Sequence, residues 1–99
     1  MVKLVALYRA PENKEEFLEK YYNEHLPLAK QMPGLIKSEI YKVKSLGANK
    51  YFLCAEMSFE NEDALNAAMG STEGRAAAKN LMSFAKDFVD MHISELTDK

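Results

Sequence analysis

The chain opens on "VKLVALY", Val2 to Tyr8, an apolar run of β-formers that ends at Arg9-Ala10-Pro11 and predicts a first strand. Beyond it the apolar positions adopt a helical period. Asn13 is a good N-cap and Glu16 stands three residues on, as in a capping box, so a helix is expected from about Lys14. At about 100° per residue, Leu18, Tyr21, Tyr22 and His25 share one face, with Glu16, Lys20, Asn23 and Glu24 on the other. His25 should therefore point at the sheet. Pro27 lacks an N–H and disfavours the α region for Leu26. A break is expected after His25, with Pro27 opening a further short turn that Pro33-Gly34 ends.

The second half alternates sheet and helix patterns. Strand two is expected from Leu35 to about Lys44, "SLGAN" forms a loop, and strand three runs from Lys50 to Phe59. Strict alternation puts Tyr51, Leu53, Ala55, Met57 and Phe59 on one face, with Cys54, Glu56 and Ser58 on the other. Asn61 caps a helix over "EDALNAAM", which Gly70 stops. Ser71 caps the next, from Thr72 to about Ser83, with Ala78, Leu81 and Met82 inward. "FVDMHISEL" is strand four, with Val89, Met91 and Ile93 on one side.

The order β-α-β-β-α-β predicts an α+β, ferredoxin-like fold: a four-stranded antiparallel sheet with its helices on one face. Residues 1–99 read as a single domain. The other sheet face is left bare, carrying Phe52, Cys54, Phe88 and one parity of strand one, either Val5 with Leu7 or Leu4 with Ala6 and Tyr8. Soluble monomers seldom expose apolar patches beyond about 300–600 Å². A homodimer packed sheet to sheet is therefore expected, and Glu56 and His92 on that parity make its interface partly polar.

Charge and composition narrow the partners. A net charge of −2 over 99 residues supplies no field for nucleic acid or an anionic membrane, and no basic cluster stands out. No apolar run is long enough for a signal segment or a membrane span, so a cytoplasmic protein is expected. Cys54 is the only cysteine, which rules out an intrachain disulfide and suits a reducing compartment. His92, Glu56 and Cys54 lack the spacing of a closed zinc site, so no metal is expected. Gly70 to Gly74 lacks the Lys and glycine pattern of a P-loop, and reads as a helix cap with Glu73 complementing the dipole. The six methionines are scattered as core fillers, and Tyr21, Tyr22, Tyr41 and Tyr51 are amphipathic core residues or pocket liners.

Two stretches carry a resemblance. "FLEKYYNEHLPLAKQMPGL", with its His-x-Pro-Leu, and "STEGRAAAKNLMSFA", with its Ser-x-Glu-Gly, resemble the EthD family of the dimeric α/β-barrel superfamily. With strand one, the resemblance covers nearly the whole chain. It implies a ferredoxin-like protomer that pairs sheet to sheet into a dimeric α/β barrel. The family is named after a small protein needed in bacterial ethyl tert-butyl ether breakdown, and its members are associated with oxidoreductases and the catabolism of organic compounds. Relatives in the superfamily include cofactorless monooxygenases, polyketide cyclases and lactone isomerases, several with a pocket between helices and sheet. Carried over by motif, His25 faces such a pocket and Pro27 and Leu28 shape its mouth; Tyr21 and Tyr22, from their own chemistry, are the candidates to line it.

The function expected is a small cofactorless enzyme or enzyme accessory acting on a hydrophobic carbonyl or aromatic compound. His25 is its acid/base group, in a cleft between helix one and the sheet. Burial keeps an imidazole neutral, able to take a proton from a carbon beside a carbonyl, or from a phenol, and return it elsewhere. The alternative is a non-catalytic carrier that serves a degradative oxygenase system. A third reading is a structural dimer whose His25 is satisfied by a backbone carbonyl or by Tyr21.

Overall fold

The computed structural model describes residues 1–97. Its elements run β1 (Val2–Arg9), α1 (Lys14–Lys20), a π turn (Tyr21–His25), α2 (Leu26–Ala29), β2 (Lys37–Lys42), β3 (Tyr51–Phe59), α3 (Glu62–Gly70), α4 (Thr72–Ala85) and β4 (Val89–Glu95). The strands form one antiparallel sheet in the order β2-β3-β1-β4. This is the expected ferredoxin-like α+β arrangement. Among the described residues no helix is long and apolar enough to cross a membrane.

The caps follow the side-chain chemistry. Asn13 Oδ1 accepts the Glu16 N–H at 3.0 Å, and Asn61 Oδ1 accepts the Ala64 N–H at 2.8 Å. Ser71 joins two helices: its Oγ accepts the Gly74 N–H at 2.9 Å and donates to the Ala68 carbonyl at the end of α3. Between α2 and β2, Gly34 takes φ +79° behind Pro33, and the Leu35 N–H reaches the Met32 carbonyl. That is the backbone a type II turn requires, with Pro and Gly in its two central places.

The helix does not break at Pro27. Leu26 stays in the α region, at φ −60° and ψ −42°, and its N–H donates to the Tyr21 carbonyl five residues back. The extra residue in this π turn widens the backbone ahead of the proline. The clash and the missing hydrogen bond are absorbed without leaving helical geometry. The buried stripe also differs from the one expected: Phe17, Tyr21 and His25 point inward, and Tyr22 is 46% exposed.

Strand three departs from strict alternation at one place. Tyr8 pairs with Leu53 and Arg9 with Tyr51, so Phe52 is a surplus residue in a bulge. Phe52 turns to the helix side against Phe17, their ring centres 5.6 Å apart. Tyr51 joins the opposite face, where its hydroxyl donates to Asp90 at 2.6 Å beside the Arg9–Asp90 ion pair. The expectation that Phe52 lies on the bare face and Tyr51 beneath the helices is thereby reversed. The bare face carries Val5 and Leu7, with Leu4, Ala6 and Tyr8 beneath the helices. Phe88 precedes β4, its carbonyl accepting the Arg9 N–H.

The core divides into two clusters. One gathers Val2, Leu4, Met57 and Phe59 with Leu65, Ala68 and Ala77 of the helices. The other gathers Ala6, Tyr8, Leu53 and Ala55 with Phe17, Tyr21, Leu81 and Ala85. The seam between them is where the candidate site lies.

Candidate functional site

Short side chains face one another across this seam. Ala6 of β1 lies opposite Gly74, Ala77 and Ala78 of α4, which leaves a cavity of about 70 Å³. Residues at i, i+3 and i+4 share a helix face, so the Gly74-Ala77-Ala78-Leu81 spacing turns one small-residue stripe toward the sheet. Leu81 is buried as expected, together with Gly74, Ala77 and Ala85, whereas Ala78 and Met82 line the cavity from exposed positions. Gly74 is required here. A Cβ on it would lie 2.1 Å from the Ala68 carbonyl oxygen, so only glycine lets α4 cross α3 this closely.

His25 stands in the wall of this cavity, and is only 4% exposed. Its Nδ1 lies 3.1 Å from the Ala77 carbonyl oxygen, 52 positions along the chain on α4. A carbonyl can only accept, so Nδ1 carries the hydrogen and the neutral ring presents a bare lone pair at Nε2. Burial pushes the His25 pKa below its ordinary value of 6.5, and the bond to Ala77 opposes the shift in part.

Two phenols stand behind the imidazole. The Tyr21 and His25 ring centres are 5.4 Å apart, and those of Tyr8 and Tyr21 are 5.3 Å apart. Tyr8 lines the cavity as well. Burial pushes Tyr21 up to about 12. It raises Tyr8 too, with the neighbouring Tyr21 adding to the effect, so both hydroxyls stay protonated. The remaining lining is apolar: Leu4, Leu81 and four methionines, Met57, Met69, Met82 and Met91.

The residues expected at the site are therefore divided. The cavity takes His25 from the π turn and Ala29 from α2, but its helical wall is α4 rather than α1. Tyr21 packs behind His25. Tyr22 lines a different groove, between α1 and the β2–β3 end of the sheet. Pro27 is exposed, and Leu28 packs against the first core cluster. Sequence reasoning missed Tyr8, Gly74, Ala77 and the methionine lining. The small-residue spacing in "GRAAA" is the signal that could have found the α4 wall.

A histidine-bearing cavity roofed by a helix, over a ferredoxin-like sheet, defines the class. Residues 9–91 match the model of the EthD domain. The chain is 30% identical over 93 residues to an uncharacterised 11.0 kDa protein in the thcB–thcC intergenic region of Rhodococcus erythropolis, covering 92% of this chain and 90% of that one. The chain belongs to the EthD family. The crystal structure of an EthD-family protein of Bacillus halodurans superposes with a TM-score of 0.91 at 37% identity, over 98% of this chain and 99% of that one. At 14% identity, the cofactor-independent oxygenase SnoaB of Streptomyces nogalater shares the fold, with a TM-score of 0.67 over 99% of this chain and 94% of that one.

Proposed function

We propose that this protein is a small cofactorless enzyme, or an enzyme accessory, that acts on a hydrophobic carbonyl or aromatic compound with His25 as its acid/base group. The observation that carries the reading is the tautomer held by Ala77 inside an apolar cavity. With Nδ1–H committed to the carbonyl, Nε2 is free to take a proton from a carbon beside a carbonyl, or from a phenol. The C–H or O–H bond breaks, the Nε2–H bond forms, and the electron pair stays on the substrate as an enolate or phenolate. The Ala77 carbonyl then stabilises the imidazolium, and the proton returns to another atom of the same substrate. Tyr8, kept protonated by burial, stands in the same cavity wall. The fold is shared with a cofactor-independent oxygenase. In an oxidative form of the chemistry, dioxygen would be the oxidant, taking electrons from the enolate or phenolate in place of the returning proton.

The cavity is small. A pocket of roughly 150 Å³ holds benzene, and this one measures about 70 Å³. Entry therefore requires side chains to yield. Met69, Met82 and Met91, each at least 40% exposed, are flexible thioethers at the β4 side of the cavity. A carrier that hands such a compound to an oxygenase system is the second reading. It is favoured by a lining in which His25 is the one imidazole or charged side chain, the rest being apolar apart from the Tyr8 phenol.

Homodimer formation through the open sheet face belongs to the same proposal. That face presents Val5, Leu7 and half-exposed Tyr41 among charged groups, with Lys3 Nζ bonded to Glu56 at 3.0 Å. A reducing cytoplasm suits the free Cys54 on it.

The test is an NMR titration of the histidine ring protons, alone and with small aromatic and lactone compounds. The chain has only two histidines, and a His92→Gln variant assigns them. A His25 signal that titrates below 6.5 and shifts with one ligand class supports the site and names the substrate lead. Indifference to both pH and ligand would sink it. His25→Ala separates the two readings: an enzyme loses turnover but keeps binding, whereas a carrier has no turnover to lose.

A further inference from the structure

A second concavity lies between α1 and the β2–β3 end of the sheet, and shares no lining residue with the His25 cavity. Its volume is about 600 Å³, within the span of roughly 300–1,000 Å³ found for small-molecule sites. Leu18 of α1, Tyr22 of the π turn, Val43 after β2, and Phe52 and Leu53 of β3 give it an apolar floor. The β3 bulge builds that floor, because it turns Phe52 from the open face of the sheet to the helix side.

The rim has a different character. Lys14, Lys42 and Lys44 stand on it, no acidic residue lines it, and none of the three forms an ion pair among the described residues. The Lys14 ammonium sits 5.8 Å from the centre of the Phe52 ring, a cation held over the floor. Three unneutralised ammonium groups within one groove are a local excess of positive charge on a chain whose net charge is −2. An apolar floor beneath such a rim complements an anion with an apolar body. We propose that this groove binds a small hydrophobic carboxylate, its body on Leu18, Tyr22 and Phe52 and its carboxylate among Lys14, Lys42 and Lys44. The net negative charge of the whole chain disfavours an anionic bilayer as the source of that chemistry, so the occupant is a free molecule.

Octanoate and 1-octanol, which differ in charge, are the probes, titrated into the whole protein by NMR. Octanoate should shift the Tyr22 and Phe52 ring signals saturably, and bind at least about tenfold more tightly than the alcohol. A Lys42→Gln/Lys44→Gln variant, altered only at the exposed rim, should weaken octanoate about tenfold and leave octanol unchanged. Added salt should weaken octanoate as well. Equal binding of acid and alcohol would overturn the proposal. So would shifts centred on His25, the absence of saturation, or binding only to phosphatidylglycerol vesicles. Octanoate that dissociates the oligomer would assign the groove to a chain–chain contact, with the same result. Because the two spaces share no residue, loss of the His25 reading would leave these outcomes unaffected.

Discussion

Replacing Gly74 by alanine tests the helix crossing that roofs the His25 cavity. The new Cβ would lie 2.1 Å from the Ala68 carbonyl oxygen, and 2.9 Å from two backbone atoms of Met69. These are backbone atoms at the end of α3, so no side-chain rotation relieves the clash. Helices α3 and α4 must part by roughly 1 Å to regain ordinary van der Waals separation. Forcing one extra carbon into close packing costs about 1–3 kcal/mol, and an obstacle made of backbone rather than side chain puts this case at the upper end. Alanine returns about 1 kcal/mol through its better helix propensity. The net loss is therefore about 2 kcal/mol. For a chain of this size that lowers Tm by roughly 10 °C. Urea unfolding of Gly74→Ala should be compared with Ala76→Gly, an exposed position in the same helix where only propensity changes and about 1 kcal/mol should be lost. Parting the helices also draws the Ala77 carbonyl from His25 Nδ1, so the His25 ring signals should move. If Gly74→Ala unfolds at the same urea concentration as the parent chain, or at a higher one, the close approach does not govern this roof.

Two further outcomes are expected. Burial holds His25 below 6.5, so at lower pH the unfolded chain takes up a proton that the folded chain refuses. That stability is whole above 6.5 and is lost as pH falls below it, so the urea midpoint should drop more between pH about 7.5 and about 5.5 in the parent than in His25→Gln; equal drops would contradict the buried, neutral imidazole. On the open sheet face, Leu7→Glu puts a carboxylate beside Asp90 and Cys54 of the neighbouring strands; the proposed sheet-to-sheet pairing predicts a smaller sedimentation coefficient than the parent's at equal concentration, and an unchanged one would refute pairing through this face.

The fold was legible because its determinants are local. Asn13, Asn61 and Ser71 each carry a side-chain oxygen that closes a helix start, and Pro33-Gly34 specifies its own turn. The errors cluster where one residue is in surplus. Alternation carried past Leu53 puts Phe52 on the wrong face, because a bulge adds a residue without marking the sequence. A period of 100° carried past Tyr21 puts Tyr22 inside, and proline sterics taken alone break the helix after His25; a π turn adds the residue that neither rule allows for. The candidate site was legible only at His25, whose burial follows from its helix face. Its partner, the Ala77 carbonyl, belongs to a backbone 52 residues away and has no side-chain signature. The cavity is a consequence of what is missing at Ala6, Gly74 and Ala77, and small residues read as helix filler until a facing element is known.

The methionine lining has a consequence for how such a protein diversifies. A wall of unbranched thioethers takes the shape of its guest, so compounds of somewhat different outline are accommodated at little cost. β-Branched residues in the same places would give a stiff mould that admits one outline and rejects the next. Exchanging Met57 or Met91 for valine or isoleucine should thus reshape the cavity of the proposed site while the imidazole keeps its tautomer, which depends on α4. Under the proposed function, the outline admitted rests on the methionines and the proton chemistry on His25 and Ala77, so the two are set by separate residues.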